Sequence, residues 1–175
     1  MSDMKKITID KVTLNIGAGE AGDKLNKAVK LLEKITGNKP IKTITMKRIP
    51  TWSLRPKLPI GAKVTLRKEK AITILRSLFA ALENKVLERK FDRNGNISFG
   101  IKEYIDIPGV EYEPDIGIIG LDVAVTLKRP GYRIKERNQA SKISSKHKIK
   151  KEEAIEFIKT EFKVEIVSKG EQDDI

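Results

Sequence analysis

Five stretches of this 175-residue chain alternate strictly between apolar and polar side chains, a period of two that an extended strand with one buried face satisfies. Val12, Leu14 and Ile16 share one side, and Lys11, Thr13 and Asn15 the other. In 41–47, Ile44 and Met46 oppose Thr43, Thr45 and Lys47. In 62–67, Ala62, Val64 and Leu66 oppose Lys63, Thr65 and Arg67. Ile97, Phe99 and Ile101 oppose Ser98, Gly100 and Lys102, and Leu121, Val123, Val125 and Leu127 oppose Asp122, Ala124, Thr126 and Lys128. Ile7 and Ile9 have the wrong parity for the first strand, so a bulge or break is expected near Asp10.

Helical spacing fills the gaps. Leu25, Ala28, Val29, Leu32 and Ile35 predict a first helix with Asp23 as its N-cap and Gly37 closing it ahead of Pro40. Ala71, Leu75, Leu78, Phe79, Leu82 and Val86 predict a second. Ile155, Ile158 and Phe162 mark a third over 152–162, followed by a strand-like Val164 and Ile166. The order strand, helix, strand, strand, helix, strand, strand gives an α+β fold of split β-α-β, ferredoxin-like type, with a mostly antiparallel sheet and its helices on one face. Residues 1–150 are expected to form a single domain that includes a long loop at 47–61 and a basic segment at 128–150. Residues 151–175 add a C-terminal helix and tail.

The face left open by that arrangement carries Lys, Thr, Asn, Ser and Arg, with Asp122 its only obvious carboxylate. A merely solvated face mixes acids with its lysines. The formal charge of +12 is concentrated: 40–70 holds nine basic residues against one acid, and 128–151 holds ten against one, while the remainder is mildly acidic. Charge placed in this way points to a polyanion, with cations on phosphates and hydroxyls or amides on sugars and base edges. No Phe, Tyr or Trp falls on the open parity, so the face lacks a stacking platform for single strands. Structured RNA read by shape and backbone fits it better.

Other chemistry is poorly supplied. Cysteine is absent and histidine is limited to His147, which removes thiolate catalysis, disulfides and cysteine or multi-histidine metal sites; no metal or other cofactor is expected. Asn15-Ile16-Gly17-Ala18-Gly19-Glu20-Ala21-Gly22 joins a strand to a helix, yet it has neither dinucleotide spacing nor a P-loop ending, and a tight turn explains its glycines. An enzyme using an Asp or Glu pair and a free-standing regulatory RNA or DNA binder stand as alternatives. A helix-turn-helix is disfavoured, because neither strong helix has a basic recognition face. No apolar run approaches the roughly 20 residues that span a bilayer, and the first residues lack the apolar core of a signal peptide, so a cytoplasmic protein without a membrane partner is expected.

Three irregular segments add detail. The stretch 47–61 is longer than a hairpin needs, stiffened by Pro50, Pro56 and Pro59 and made cationic by Arg48, Arg55 and Lys57, with Trp52 as a flat surface; it is either a functional projection or a cover in which Trp52 and Leu54 pack over the core edge. Residues 91–96 read as a turn around Asn94-Gly95. Asp106, Glu111, Glu113 and Asp115 make an acidic stretch that is either solvated or a contact for a basic neighbour. The Lys- and Ser-rich run 139–151 is expected to lack order by itself.

Four blocks in order resemble ribosomal protein L5 of the large subunit in its archaeal form: Asn15-Ile16-Gly17 with the following glycines, 35–40 (Ile-Thr-Gly-Asn-Lys-Pro), 59–67 (Pro-Ile-Gly-Ala-Lys-Val-Thr-Leu-Arg), and 91–96 followed by Gly100-Ile101. The run 128–133 and the basic segment after it resemble the archaeal and eukaryotic branch. The resemblance spans nearly the whole chain and implies a non-enzymatic protein, monomeric within the ribosome, that holds 5S rRNA in the central protuberance with a concave sheet face and helps attach it to large-subunit rRNA. On that basis the rRNA-binding residues are Lys11, Thr13, Asn15, Asn38, Lys39, Thr43, Thr45, Lys63, Thr65 and Arg67, with Asn38 standing where bacterial members usually have Gln. The loop would meet P-site tRNA through Lys47, Arg48, Thr51, Trp52, Ser53, Arg55 and Lys57. The basic segment would contribute Lys128, Arg129, Arg133, Lys135, Arg137, Lys146 and Lys148. Neighbouring ribosomal proteins, including a basic protein of the small-subunit head across a bridge, complete the implied partners.

Overall fold

The computed structural model describes residues 3–167. Strand β1 (Thr8–Gly17) is followed by helix α1 (Asp23–Thr36), strands β2 (Ile41–Ile44) and β3 (Pro59–Leu66), helix α2 (Lys68–Ala80), strands β4 (Lys85–Leu87), β5 (Ile97–Ile101) and β6 (Leu121–Lys128), helix α3 (Lys151–Phe162) and strand β7 (Glu165–Val167). Five strands form an antiparallel sheet in the order β2-β3-β1-β6-β5, and β4 pairs with β7 in a small parallel ribbon. The first half follows the split β-α-β expectation, with β3 inserted between β1 and β2. The second half departs from it: the sheet strand that follows α2 goes to the edge, and the next one, β6, takes the place beside β1.

Contacts group the chain into two compact units that divide the strands between them. One comprises Thr13–Leu66 and Gly100–Val123, here the loop unit; the other runs up to Val12, through Arg67–Phe99 and from Ala124 onward, here the arch unit.

In the loop unit the alternation of β1 and β3 is realised directly. Leu14 and Ile16, and Ala62, Val64 and Leu66, are buried, while Lys63 and Thr65 are exposed. Helix α1 packs on β3 and buries Leu25, Ala28, Leu31 and Leu32, each worth about 1.5–3 kcal/mol for the larger side chains, so a one-residue slip of β3 would forfeit the whole set. Asp23 does not cap this helix. It is the first helical residue, after Gly22, where its carboxylate meets the positive end of the helix dipole. The helix closes at Gly37, whose N–H donates to the Glu33 carbonyl at 2.8 Å.

Strand β2 overturns the expected parity. It stops at Ile44, three residues early, and its register with β3 shifts between Thr43 and Ile44. Ile44 and Met46 are exposed, 52% and 85%, while Thr45 is buried. The cause lies in hydrogen bonding: the Thr45 hydroxyl donates to the Arg55 carbonyl and lies 3.2 Å from that of Leu58, and these tie the loop's return arm down. Just before the shift, Thr43 pairs with Gly61. A Cβ on Gly61 would lie 2.7 Å from Thr43 Oγ1 and 2.9 Å from the Ile16 carbonyl oxygen, so only glycine lets the neighbouring strands close on β3 here.

In the arch unit α2 buries Ala71, Leu75, Leu78 and Phe79, and the Phe79 ring lies 5.4 Å from the rings of Phe99 and Phe162. Val86, expected on this helix, belongs instead to β4. The helix ends at Ala80, and Glu83 and Asn84, both with positive φ (53° and 58°), turn the chain into the ribbon, where Val86 pairs with Ile166. The expected strand is thus present at Ile166 as β7, with buried Val164 just before it, and the part of the tail from 168 to 175 lies outside the described residues. The turn at 92–96 is closed by the Asp92 N–H on the Asn96 carbonyl at 2.8 Å. Its Gly95 combines φ of +76° with an Ile149 methyl 2.7 Å from where a Cβ would sit. Strand β1 runs through Asp10 without a break, although full burial begins only at Val12.

Candidate nucleic-acid interface

Residues directly opposed in an antiparallel pair project to the same side. The pairings Ile41 with Lys63 and Thr43 with Gly61 therefore put Thr43 on the side of Lys63 and Thr65. On β1, half-buried Thr13 and Asn15 alternate with buried Leu14 and Ile16. The loop unit so presents hydroxyls, an amide and a lysine on the faces of its strands that α1 leaves open, with the exposed Asp122 as the carboxylate on β6. Ile41, 66% exposed, joins this surface, which the apolar-polar pattern did not foretell. Asn38 and Lys39 sit in the turn after α1, where the Asn38 N–H donates to Thr36 Oγ1 at 3.2 Å. Thr45 is not on this surface. Its hydroxyl is committed to the loop carbonyls described above.

The connection between β2 and β3 is a folded projection. Ile49 and Leu54 exchange backbone hydrogen bonds at 3.1 Å in both directions, enclosing a 3-10 turn over Pro50–Trp52, with Ser53 in the left-handed region at φ 54°. The two readings of this segment divide between two residues: Leu54 packs inward at 7% exposure, whereas Trp52 stands 69% exposed at the tip. Lys47, Arg48, Thr51, Ser53, Arg55 and Lys57 are exposed around it. An aromatic plane ringed by guanidinium and ammonium groups suits contact with a nucleic acid.

The glycine-rich turn before α1 is no phosphate cradle. The N–H groups of Ala18 and Gly19 both donate to the Ile60 carbonyl, at 2.9 and 3.1 Å, and so stitch the turn to β3.

In the arch unit hydrogen bonds tie the two ends of the basic segment together, while 140–144 carry no regular secondary structure. Arg129 is 6% exposed and engaged inside: its guanidinium pairs with Glu153 at 2.9 Å and donates to the His147 and Lys148 carbonyls at 3.3 and 3.4 Å. Tyr132 Oη accepts the Ile149 N–H at 2.9 Å and donates to the His147 carbonyl, while His147 Nε2 lies 2.9 Å from the Pro130 carbonyl oxygen. Ile149 is buried beneath Gly95. Residues 130–149 therefore form an arch clasped at its base, from which Arg133, Lys135, Arg137, Lys146 and Lys148 project towards solvent. Arg129 builds the arch and is not displayed by it. The Glu153 carboxyl is held below the usual carboxylate range, first because it accepts the Lys150 N–H at the start of α3, with burial opposing and Arg129 adding to the effect.

Lys11 lies half-buried on β1, and Arg67 and Lys128 both reach the same oxygen of Asp10, at 3.3 and 2.9 Å. No periodic signal in the sequence foretells this pairing, because an isolated acid carries none. Asn94 and Asn96 look like turn formers alone, yet both also face the basic arch.

The acidic stretch is anchored to the loop unit. Glu113 pairs with Lys34 of α1 at 2.6 Å, and its N–H donates to Oη of the fully buried Tyr104 at 3.0 Å. The hydrogen bond to Glu113 raises the Lys34 ammonium above its ordinary value, with burial opposing. Glu111, Asp106 and Asp115 remain exposed, beside exposed Tyr112 and Ile118. Among the described residues no acid, histidine or cysteine cluster is disposed to hold a metal ion, and no helix is long and apolar enough to cross a membrane.

Residues 2–55 match the family model for ribosomal protein L5, and residues 59–157 match the model for the C-terminus of the same ribosomal family. The chain is 48% identical over 169 residues to a protein of Thermoplasma volcanium named large ribosomal subunit protein uL5, covering 95% of this chain and 99% of that one. Proteins of the same name from Nanoarchaeum equitans and Methanosphaera stadtmanae are 51% and 48% identical, over 94% and 95% of this chain and 98% and 99% of theirs.

Proposed function

Because the chain belongs to the ribosomal protein L5 family, a structural and non-enzymatic family of the large ribosomal subunit, we propose that its open strand faces bind 5S rRNA in the central protuberance and help attach it to the large-subunit rRNA. The protein works in the cytoplasmic ribosome, among ribosomal RNA and ribosomal proteins. The observation that carries the finer reading is the display of Thr13, Asn15, Thr43, Lys63 and Thr65 on strands of the loop unit that carry one carboxylate, Asp122. Lys11, Asn38, Lys39 and Arg67 extend the rRNA contact, and the cations of the arch add phosphate neutralisation. The Trp52 projection takes P-site tRNA, and the anchored acidic loop 106–115 faces a basic protein of the small-subunit head. The protein acts as a monomer within the ribosome.

Phosphate contacts position an RNA, and hydrogen bonds to sugars and bases discriminate it. Thr65→Val keeps shape and deletes a hydroxyl, and Asn15→Ala deletes an amide. Each is expected to cost about 1–3 kcal/mol of 5S rRNA affinity with little change in thermal stability. Filter binding with purified 5S rRNA checks this. Full affinity in both variants, together with a deficit in Lys63→Ala, would reduce recognition to charge alone.

A further inference from the structure

Asn94-Gly95 is the chain's single Asn-Gly step, and asparagine is among the thermolabile side chains. With no Cβ beside it, the Gly95 nitrogen is the least hindered nucleophile a backbone offers. In an open chain that nitrogen loses its proton to hydroxide and attacks Asn94 Cγ. An N–Cγ bond forms, the Cγ–Nδ2 bond breaks, ammonia leaves, and a succinimide ring remains. Water opens the ring at either carbonyl, giving aspartate or isoaspartate. The sum is an amide and a water turned into a carboxylate and an ammonium ion, with nothing oxidised or reduced.

The folded turn opposes each step. The Gly95 N–H donates to the Asp92 carbonyl at 3.0 Å, so the proton that must leave is engaged. The Asp92 carboxylate, which accepts the Arg93 N–H at 2.6 Å and lies 3.5 Å from Asn94 Nδ2, disfavours a second negative charge on the neighbouring nitrogen. Asn94 is exposed, but Gly95 is buried, with an Ile149 methyl 2.7 Å and the Ala154 Cβ 3.2 Å from where its own Cβ would sit. Asp92 guards the step from within the turn. Ile149 guards it from the base of the arch, where the Tyr132 hydroxyl oxygen accepts its N–H at 2.9 Å.

We propose that Asn94 is a self-modification site controlled by the arch: a seated Ile149 preserves the amide, and a chain whose arch stays open converts itself, with water as the only co-reactant. The conversion is one-way. Isoaspartate inserts an extra carbon into the backbone of a turn with no space for a methyl group at Gly95, so Ile149 cannot reseat. A chain that lingers with its arch open is thereby retired.

The test ages the full chain at mildly alkaline pH, folded and in denaturant, and follows Asn94 by peptide mapping with enzymatic labelling of isoaspartate. Folded chain is expected to convert at least about a hundredfold more slowly than denatured chain, because conversion tracks the fraction of molecules with the turn open. Ile149→Ala, aged where its melting curve shows it folded, is expected to convert about tenfold faster than the unaltered chain. Tyr132→Phe, a milder change that removes the oxygen holding Ile149, is expected to accelerate conversion several-fold. Leu31→Ala in the loop unit, compared at the same interval below its melting point, is expected to have no such effect. Equal rates in folded and denatured chain, or no conversion in denaturant, would overturn the proposal. So would acceleration by Leu31→Ala as great as by the arch variants, since that assigns conversion to global unfolding. Isoaspartate chains separated after ageing are expected to melt below unconverted chains refolded in the same way, and equal melting would overturn the one-way step.

Discussion

Glu153 joins two jobs at the start of α3: its carboxylate accepts the Lys150 N–H and pairs with the buried Arg129 that clasps the arch. Its folded pKa is depressed, so its contribution to stability is present above the ordinary carboxyl range, near 4.3, and is lost as pH falls through the lowered folded value. Glu153→Gln keeps the shape but leaves Arg129 facing a neutral amide. The expected cost at pH 7 is about 1–2 kcal/mol, at the low end for an unpaired buried group because the Glu153 side chain is 40% exposed. Thermal denaturation of both proteins checks it: the gap in midpoint is expected at pH 7 and should narrow as the pH falls below the ordinary carboxyl range, and a pH-independent gap would assign the effect to packing. Sequence alone reads such residues poorly. Arg129 and Arg133 stand in one basic run and look alike there, yet one is buried structure and the other is displayed, a difference made by a helix two dozen residues further on.

Among the elements, strands whose apolar face meets a packed core were legible, and the one that meets a loop was not. β1, β3, β5 and β6 bury the residues their alternation nominated, because a slip by one would turn every apolar side chain to water. β2 lies at the sheet edge with a register shift, and there the demand of two loop carbonyls for the Thr45 hydroxyl outweighed the apolar pattern. The end of α2 is misplaced by periodicity for a related reason: Val86 keeps helical spacing but pairs with β7, which lies 80 residues away in sequence. The same distinction refines the loop. Removing 48–59 wholesale would uncover the seat of Leu54 and strip Thr45 of its partners, so the tip must be tested separately from the base. Leu54→Ala is expected to cost about 2–4 kcal/mol of unfolding free energy, and Trp52→Ala less than about 0.5. Denaturant titrations measure both. Ribosomes carrying Trp52→Ala are expected to assemble and to release P-site tRNA faster; unchanged tRNA dissociation would remove Trp52 from that contact.

At the scale of the whole molecule, charge placement was the most legible property and its architecture the least. The two basic windows fall on the loop projection with its flanking strand and on the arch, but nothing in the sequence showed that the second window folds back on itself through Arg129 and Tyr132. With about six phosphates neutralised, 5S rRNA affinity is expected to fall about a thousandfold over a fourfold rise in salt. A flat titration would contradict the electrostatic basis of binding. Trp52 has a consequence of another kind. It is the chain's single tryptophan, and it stands in water at the tip of a projection while the hydrophobic core packs elsewhere. Indole emission from this protein is therefore that of a solvated chromophore in the native state and changes little when the core melts. Fluorescence unfolding curves would be nearly silent, whereas the same signal, quenched by a base stacked on the ring, reports occupancy of the loop with almost no background.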